Sequence, residues 1–237
     1  MADTKRTPVN KTAGQSGQKS SEIDRFLAEA RTMAPAGASD GRGRLVFALD
    51  ATMSRQPTWD TALRLQAEMF EEAGKVGSLD VQLVYFRGFN ECRASRWVSD
   101  TKGLRDLMTG IDCRGGHTQI GKVLSHARRE TRKKKVNVVV FVGDALEEPI
   151  DTLAARAGEL GLLGVKLFIF QEGHDPAVER GFRELARLTR GAYARFDPNA
   201  AGQLARLLRA AAVYAAGGLK ALQKSGSGTP PLLEQLR

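Results

Sequence analysis

In 237 residues the chain has two cysteines, Cys92 and Cys113, three histidines and 6% aromatic residues, and each scarcity excludes something. Two cysteines cannot make a disulfide scaffold, and their separation matches no zinc-ligand spacing, so free thiols are expected. No segment reaches the roughly 20 apolar residues that span a bilayer. The start, Met1-Ala2-Asp3-Thr4-Lys5-Arg6, has no apolar stretch of the signal-peptide kind, so a cytoplasmic location without membrane contact is expected. No Gly-x-x-x-x-Gly-Lys-Ser/Thr loop is present to cradle a nucleotide.

What is present is a globular composition, 42% hydrophobic and 27% charged, enough to bury the core of one ordinary α/β domain with tails. The net charge of +9 and pI near 9.8 raise nucleic acid or an acidic protein surface as partners. The densest basic block, Arg128-Arg129-Glu130-Thr131-Arg132-Lys133-Lys134-Lys135, falls at the end of an expected helix. There cations complement the macrodipole, so the block reads first as a solvated helix end and second as a phosphate-binding patch. Aromatic residues do not interleave with it, which weakens single-stranded RNA binding.

Residues 1–42 read as a flexible tail plus an amphipathic helix at about 21–33, where Ile23, Phe26, Leu27, Ala30 and Met33 share one face. From Leu45 onward apolar runs of strand length alternate with helical patterns, which predicts a mostly parallel sheet covered on both faces. Strands are expected at 45–49, 80–87, 91–99, 136–142, 165–170 and 192–196, and helices at 57–73, 101–109, 118–133, 150–163, 176–189 and 198–216. The second and third strands, separated by Gly88 and Asn90, form a hairpin, so the third is an antiparallel edge strand able to carry Arg93 and Arg96. Residues 218–237, rich in Gly, Ser, Thr and Pro, read as a flexible C-terminal tail.

The first strand closes on Asp50, and a hydroxyl follows at every second position: Asp50-Ala51-Thr52-Met53-Ser54. A carboxylate and two alcohols at one strand end are hard oxygen donors suited to Mg²⁺ or Mn²⁺. Thr118, after Gly115-Gly116-His117, and Asp144, after the apolar run Val138–Val142, stand just past a turn and a strand end, where open α/β sheets bind ligands. Each could instead cap the next helix, Thr118 above all.

With the order of elements, these five donors resemble the von Willebrand factor A (VWA) domain family over residues 43–217. The resemblance implies a Rossmann-like three-layer α/β/α sandwich, with a mostly parallel six-stranded sheet and one antiparallel edge strand. Asp50, Thr52 and Ser54 match the Asp-x-Ser-x-Ser loop of the family's metal-ion-dependent adhesion site, Thr118 its separate threonine and Asp144 its separate aspartate. Thr52 stands where the family has serine, keeping the hydroxyl but restricting χ1. The implied function is capture of a partner protein's Asp or Glu by the open position of a bound Mg²⁺ or Mn²⁺, inside an intracellular assembly such as one with an AAA+ ATPase. No catalytic residue is implied.

Two other classes remain. RNA binding would use the 128–135 block. Metal-dependent phosphoryl transfer would use Asp50 as nucleophile, but haloacid-dehalogenase-type phosphatases want a second aspartate two residues on, and Thr52 stands there. His117 reads as a turn histidine, and His126 and His174 have no partner spacing.

Overall fold

A strand whose residues are apolar on both sides must be covered on both sides, and Leu45–Leu49 sets the architecture accordingly. In a computed structural model, which describes residues 42–75, 77–197 and 201–225, this run lies in strand β1 (Arg42–Asp50). A 3-10 turn (Met53–Arg55), helix α1 (Gln56–Gly74), strands β2 (Ser78–Arg87) and β3 (Glu91–Val98) and helices α2 (Thr101–Thr109) and α3 (Ile120–Lys133) follow. Then come β4 (Val138–Gly143), α4 (Ile150–Leu162), β5 (Lys166–Glu172), α5 (Pro176–Leu188), β6 (Ala192–Phe196) and α6 (Ala201–Lys224).

The sheet runs β3-β2-β1-β4-β5-β6 among the described residues. Every neighbouring pair is parallel except β2 with β3. This is the expected mixed sheet with one antiparallel edge strand, and Arg93 and Arg96 are exposed on that edge.

Side-chain alternation sorts the core into two layers. Leu45, Phe47 and Leu49 join Trp59 and Met69 of α1, Leu104 of α2 and Leu207 and Tyr214 of α6. Val46 and Ala48 join Val123 of α3, Leu160 of α4 and Phe182 of α5. The three-layer sandwich follows from that period-two split. At Gly43 a Cβ would lie 2.1 Å from the Ala215 carbonyl oxygen, so the missing side chain is what lets α6 lie against the start of β1.

The C-terminal boundary differs most from the sequence reading. Helix α6 does not stop before residue 218. It kinks at Gly218, whose φ of 67° suits glycine, and resumes to Lys224 with Leu222 fully buried. The tail expected over 218–237 therefore begins as helix, because one apolar turn beyond the Gly217-Gly218 break still reaches the core. The amphipathic pattern at 21–33 and the end of the C-terminal segment, 226–237, lie outside the described residues. No helix among those described is long and apolar enough to cross a membrane. Cys92 and Cys113 are free thiols, each pushed up to about 11 by burial.

Candidate metal centre

The order of the strands reverses between β1 and β4: from β1 the chain proceeds to β2 on one side, then returns to β4 on the other. The crevice beyond the strand ends at such a switch point is the usual ligand position in open α/β sheets. Asp50 ends β1 there, opposite Phe86 of β2. A Cβ added to Gly143, at the end of β4, would stand 3.9 Å from that of Asp50.

Asp50 is 4% exposed. Its Oδ1 accepts the Thr52 N–H at 2.8 Å, and the Thr52 hydroxyl bonds it too. Burial pushes its carboxyl up to about 6 against those hydrogen bonds; nearby Asp144 adds to the rise and Arg55 opposes it. Thr52 precedes the 3-10 turn in extended conformation without capping it. Ser54 lies inside that turn.

Arg55, from the same turn, reaches across the strand ends. Its Nη2 is 3.3 Å from Asp144 Oδ2 and its Nη1 is 2.5 Å from Glu172 Oε2. Thr58 donates its hydroxyl proton to Glu172, which closes β5. Three adjacent parallel strands thus end in carboxylates, Asp50, Asp144 and Glu172, with a guanidinium lying against the last two.

Thr118 stands on the loop before α3. Arg114 N–H donates to Ala51 O at 2.9 Å and His117 N–H to Gly88 O at 3.1 Å, holding this loop along the ends of β1 and β2. At Gly116 any Cβ would come within 2.2 Å of the Gly88 backbone, so glycine is required for that approach. Thr118 is not the cap of α3. Its hydroxyl accepts the Glu147 N–H at 3.1 Å and its own N–H donates to Glu147 Oε2 at 2.7 Å, tying the loop to the segment after β4. The Thr118 N–H and His117 hold the Glu147 carboxyl below its ordinary range. Asp50, Thr52 and Asp144 are therefore neighbours, and Thr118 sits on an adjoining loop bonded at both flanks.

Among the described residues no group of three or more His, Cys, Asp or Glu gathers to hold a metal. Any ion here would rest on hydroxyls as well as carboxylates, a hard-oxygen set suited to Mg²⁺ or Mn²⁺. A buried carboxylate with a second one beside it has the deficit of positive charge that a cation corrects. Asp50, Thr52 and Asp144 have the donor chemistry for such an ion, with Arg55 as a built-in competitor for Asp144.

Arg55, Thr58, Glu147 and Glu172 were not singled out from sequence. Glu172 closes β5 as Asp50 closes β1, but Gln171 separates it from the apolar run ending at Phe170. Three of the basic block's six cations are engaged in structural contacts: Arg128 pairs with Glu159, Lys133 with Glu130 at 2.7 Å, and Lys135 donates to the Leu163 carbonyl. These contacts favour the helix-end reading over a free phosphate patch.

No family model and no curated protein matches the chain. Solved structures do. The chain is similar to an aerotolerance-related membrane protein from Bacteroides fragilis at 19% identity and TM-score 0.54, covering 69% of this chain and 96% of that one. It is similar to a von Willebrand factor type A protein from Catenulispora acidiphila at 14% identity and TM-score 0.57, covering 73% of this chain and 43% of that one. The VWA domain of SpRpn10 matches at 13% identity and TM-score 0.54, over 74% of this chain and 97% of that one. The fold is that of the VWA domains.

Proposed function

We propose that this chain is a protein-binding module in which Asp50, Thr52, Ser54, Thr118 and Asp144 hold Mg²⁺ or Mn²⁺ for capture of a partner's carboxylate. The observation that carries this reading is Asp50: a carboxylate 4% exposed at the switch point, beside Asp144 and bonded by Thr52. Burying a charge that way is costly unless a cation joins it. When bound, the ion would supply a Lewis-acidic position for an anionic oxygen. The chain's own part is to orient the donors: Thr52 fixes the Asp50 carboxylate, and Glu147 fixes Thr118 through two reciprocal bonds.

Two large apolar side chains stand at the rim. Met53 is 63% exposed in the turn after Asp50, and Phe89, 81% exposed at the β2–β3 turn, lies edge-on to His117 with ring centroids 5.3 Å apart. Apolar anchors around a charged centre suit protein docking. Binding is favoured over phosphoryl transfer because the position two after Asp50 holds Thr52, whose polar groups serve the Asp50 carboxylate and offer no second acid.

Calorimetric titration with Mg²⁺ and Mn²⁺ tests the metal, and recovery of partners from native lysate in Mg²⁺ or chelator tests the capture. Wild type is expected to bind metal and to retain a partner only in Mg²⁺, while Asp50→Ala does neither and keeps its circular dichroism spectrum. Equal metal affinity in the two proteins would falsify the reading.

A further inference from the structure

A cavity lies on the layer of α3 and α4, next to the antiparallel edge. The polar residues Lys122, Ser125, His126 and Arg129 recur at the spacing of one helical face, and this stripe of α3 borders the cavity, whose volume is about 370 Å³. Val84, Cys92 and Ala94 of β2 and β3 line its other side. Arg156 enters from α4. Its path crosses α3 at Gly121, where a Cβ would lie 2.4 Å from Nη1. The absent side chain is what admits the guanidinium.

The cations here are not cancelled as those of the helix end are. Arg129 is exposed and makes no ion pair among the described residues. Lys122 gives its protons to neutral acceptors, the Asn90 carbonyl and amide oxygens and the Gln119 Oε1 at 2.8 Å, so its charge stays whole. Glu148 is the acidic group beside Arg156 and Lys122, and its carboxylate is already accepting the Gly121 N–H at 3.0 Å. Arg93 also lines the cavity but is paired with Glu91 at 2.8 Å, so three further cations stand against the Glu148 carboxylate and leave the cavity net positive. His126 is held at Nε2 by the Gln82 Oε1 at 2.8 Å.

We infer that this cavity binds a small phosphorylated ligand, with Arg129, Arg156 and Lys122 facing the phosphate and the Val84, Cys92 and Ala94 wall receiving the attached organic group. Planar guanidiniums match phosphate oxygens pairwise. The volume, about 370 Å³, exceeds what a bare inorganic ion fills and lies in the range of small-molecule sites, roughly 300–1,000 Å³. A free nucleotide and the phosphorylated end of an RNA strand carry the same chemistry. The site is separate from the candidate metal centre and stands whether or not that centre binds metal.

The experiment titrates the full chain with AMP, inorganic phosphate, 5′-phosphorylated oligouridine and its unphosphorylated twin. Arg129→Glu and Arg132→Glu carry the same charge change on one helix, but only Arg129 lines the cavity. Arg129→Glu is expected to weaken AMP binding at least about tenfold, a loss of ~1.4 kcal/mol, while Arg132→Glu and Asp50→Ala bind as wild type. Tighter binding of AMP than of inorganic phosphate supports the organic wall. A preference for the phosphorylated over the unphosphorylated oligouridine, lost only in Arg129→Glu, identifies an RNA end as a source. Absence of binding by every phosphorylated probe, or equal weakening by the two arginine variants, overturns the proposal. Thermal unfolding checks that both variants remain folded.

Discussion

At the end of β1, charge is buried on the axis of the sheet; beside β3, charge stands on a helix face at the sheet's margin. The first region gathers carboxylates from the ends of β1, β4 and β5, enclosed enough that burial pushes Asp50 up to about 6. The second gathers Lys122 and Arg129 from one turn-spaced stripe of α3 and Arg156 from its neighbour, with Arg129 exposed and the other two half-buried. Buried charge must be answered within the protein, and Arg55 answers part of it. Marginal charge is answered by water and salt until a ligand arrives. Changes in the first region should therefore weigh on stability as well as on metal uptake, and changes in the second on anion binding with little effect on folding.

The largest test of that contrast is Arg55→Gln. Its guanidinium is the charged partner of the buried Glu172 and lies 3.3 Å from Asp144. Removing one member of a buried pair costs about 3–5 kcal/mol; Thr58, which still donates to Glu172, places the expected loss near the lower end, ~3 kcal/mol. Urea unfolding in chelator measures it. In Mg²⁺ the variant should recover more stability than wild type does, because the competitor for Asp144 is gone. An unchanged urea midpoint would show that Arg55 is not answering buried charge.

Asp50→Asn should act in the opposite direction. The folded-state pKa is about 6 against an ordinary value of 3.8. The folded protein thus binds the Asp50 proton more tightly than the unfolded chain, and wild-type stability falls as pH rises through that interval. Above it the penalty is complete, on the order of 2–3 kcal/mol. Asparagine keeps an acceptor for the Thr52 N–H and carries no charge, so the variant should be more stable than wild type in chelator at pH 7. The gap between the two should narrow toward pH 4, and the variant should take up no metal. Parallel unfolding midpoints across that pH range would refute the assignment of the penalty to Asp50.

How much of this was legible in the sequence follows the same division. Asp50 and Asp144 each close an apolar run, and a buried strand announces itself locally, so both positions could be read without coordinates. The five-donor proposal has its structural neighbours in Asp50, Thr52 and Asp144, with Thr118 joined through Glu147. Glu172 escaped because β5 was expected to end at Phe170, whereas buried Gln171 and Glu172 continue it with polar side chains. Arg55 escaped because its partners come from two distant strand ends. The helix after Gly218 was hidden by glycine, which permits the kink and gives no sign that Leu222 returns to the core. On α3 the eye falls on Arg128 to Lys135, yet Arg128, Lys133 and Lys135 are engaged and the converging cations lie at Lys122, Arg129 and Arg156. Their convergence depends on Gly121, a residue with no charge to count.

That glycine supplies the smallest and most selective perturbation. In Gly121→Ala the new Cβ would lie 2.4 Å from Arg156 Nη1 and 2.8 Å from Glu148 Oε1. Both are far ends of side chains that can swing aside, so the clash is relieved by moving them and not the backbone. Alanine in place of glycine favours an α-helix by up to ~1 kcal/mol, less in a first turn, which offsets the lost Arg156 seat. The net change in unfolding free energy should stay within about 1 kcal/mol of zero. AMP affinity should nevertheless fall several-fold, and its dependence on salt should flatten because one cation has left the cavity. Metal uptake at Asp50 should be untouched. Retained AMP affinity with the Arg156 guanidinium displaced would remove that residue from the anion site and leave Lys122 and Arg129 as its cations.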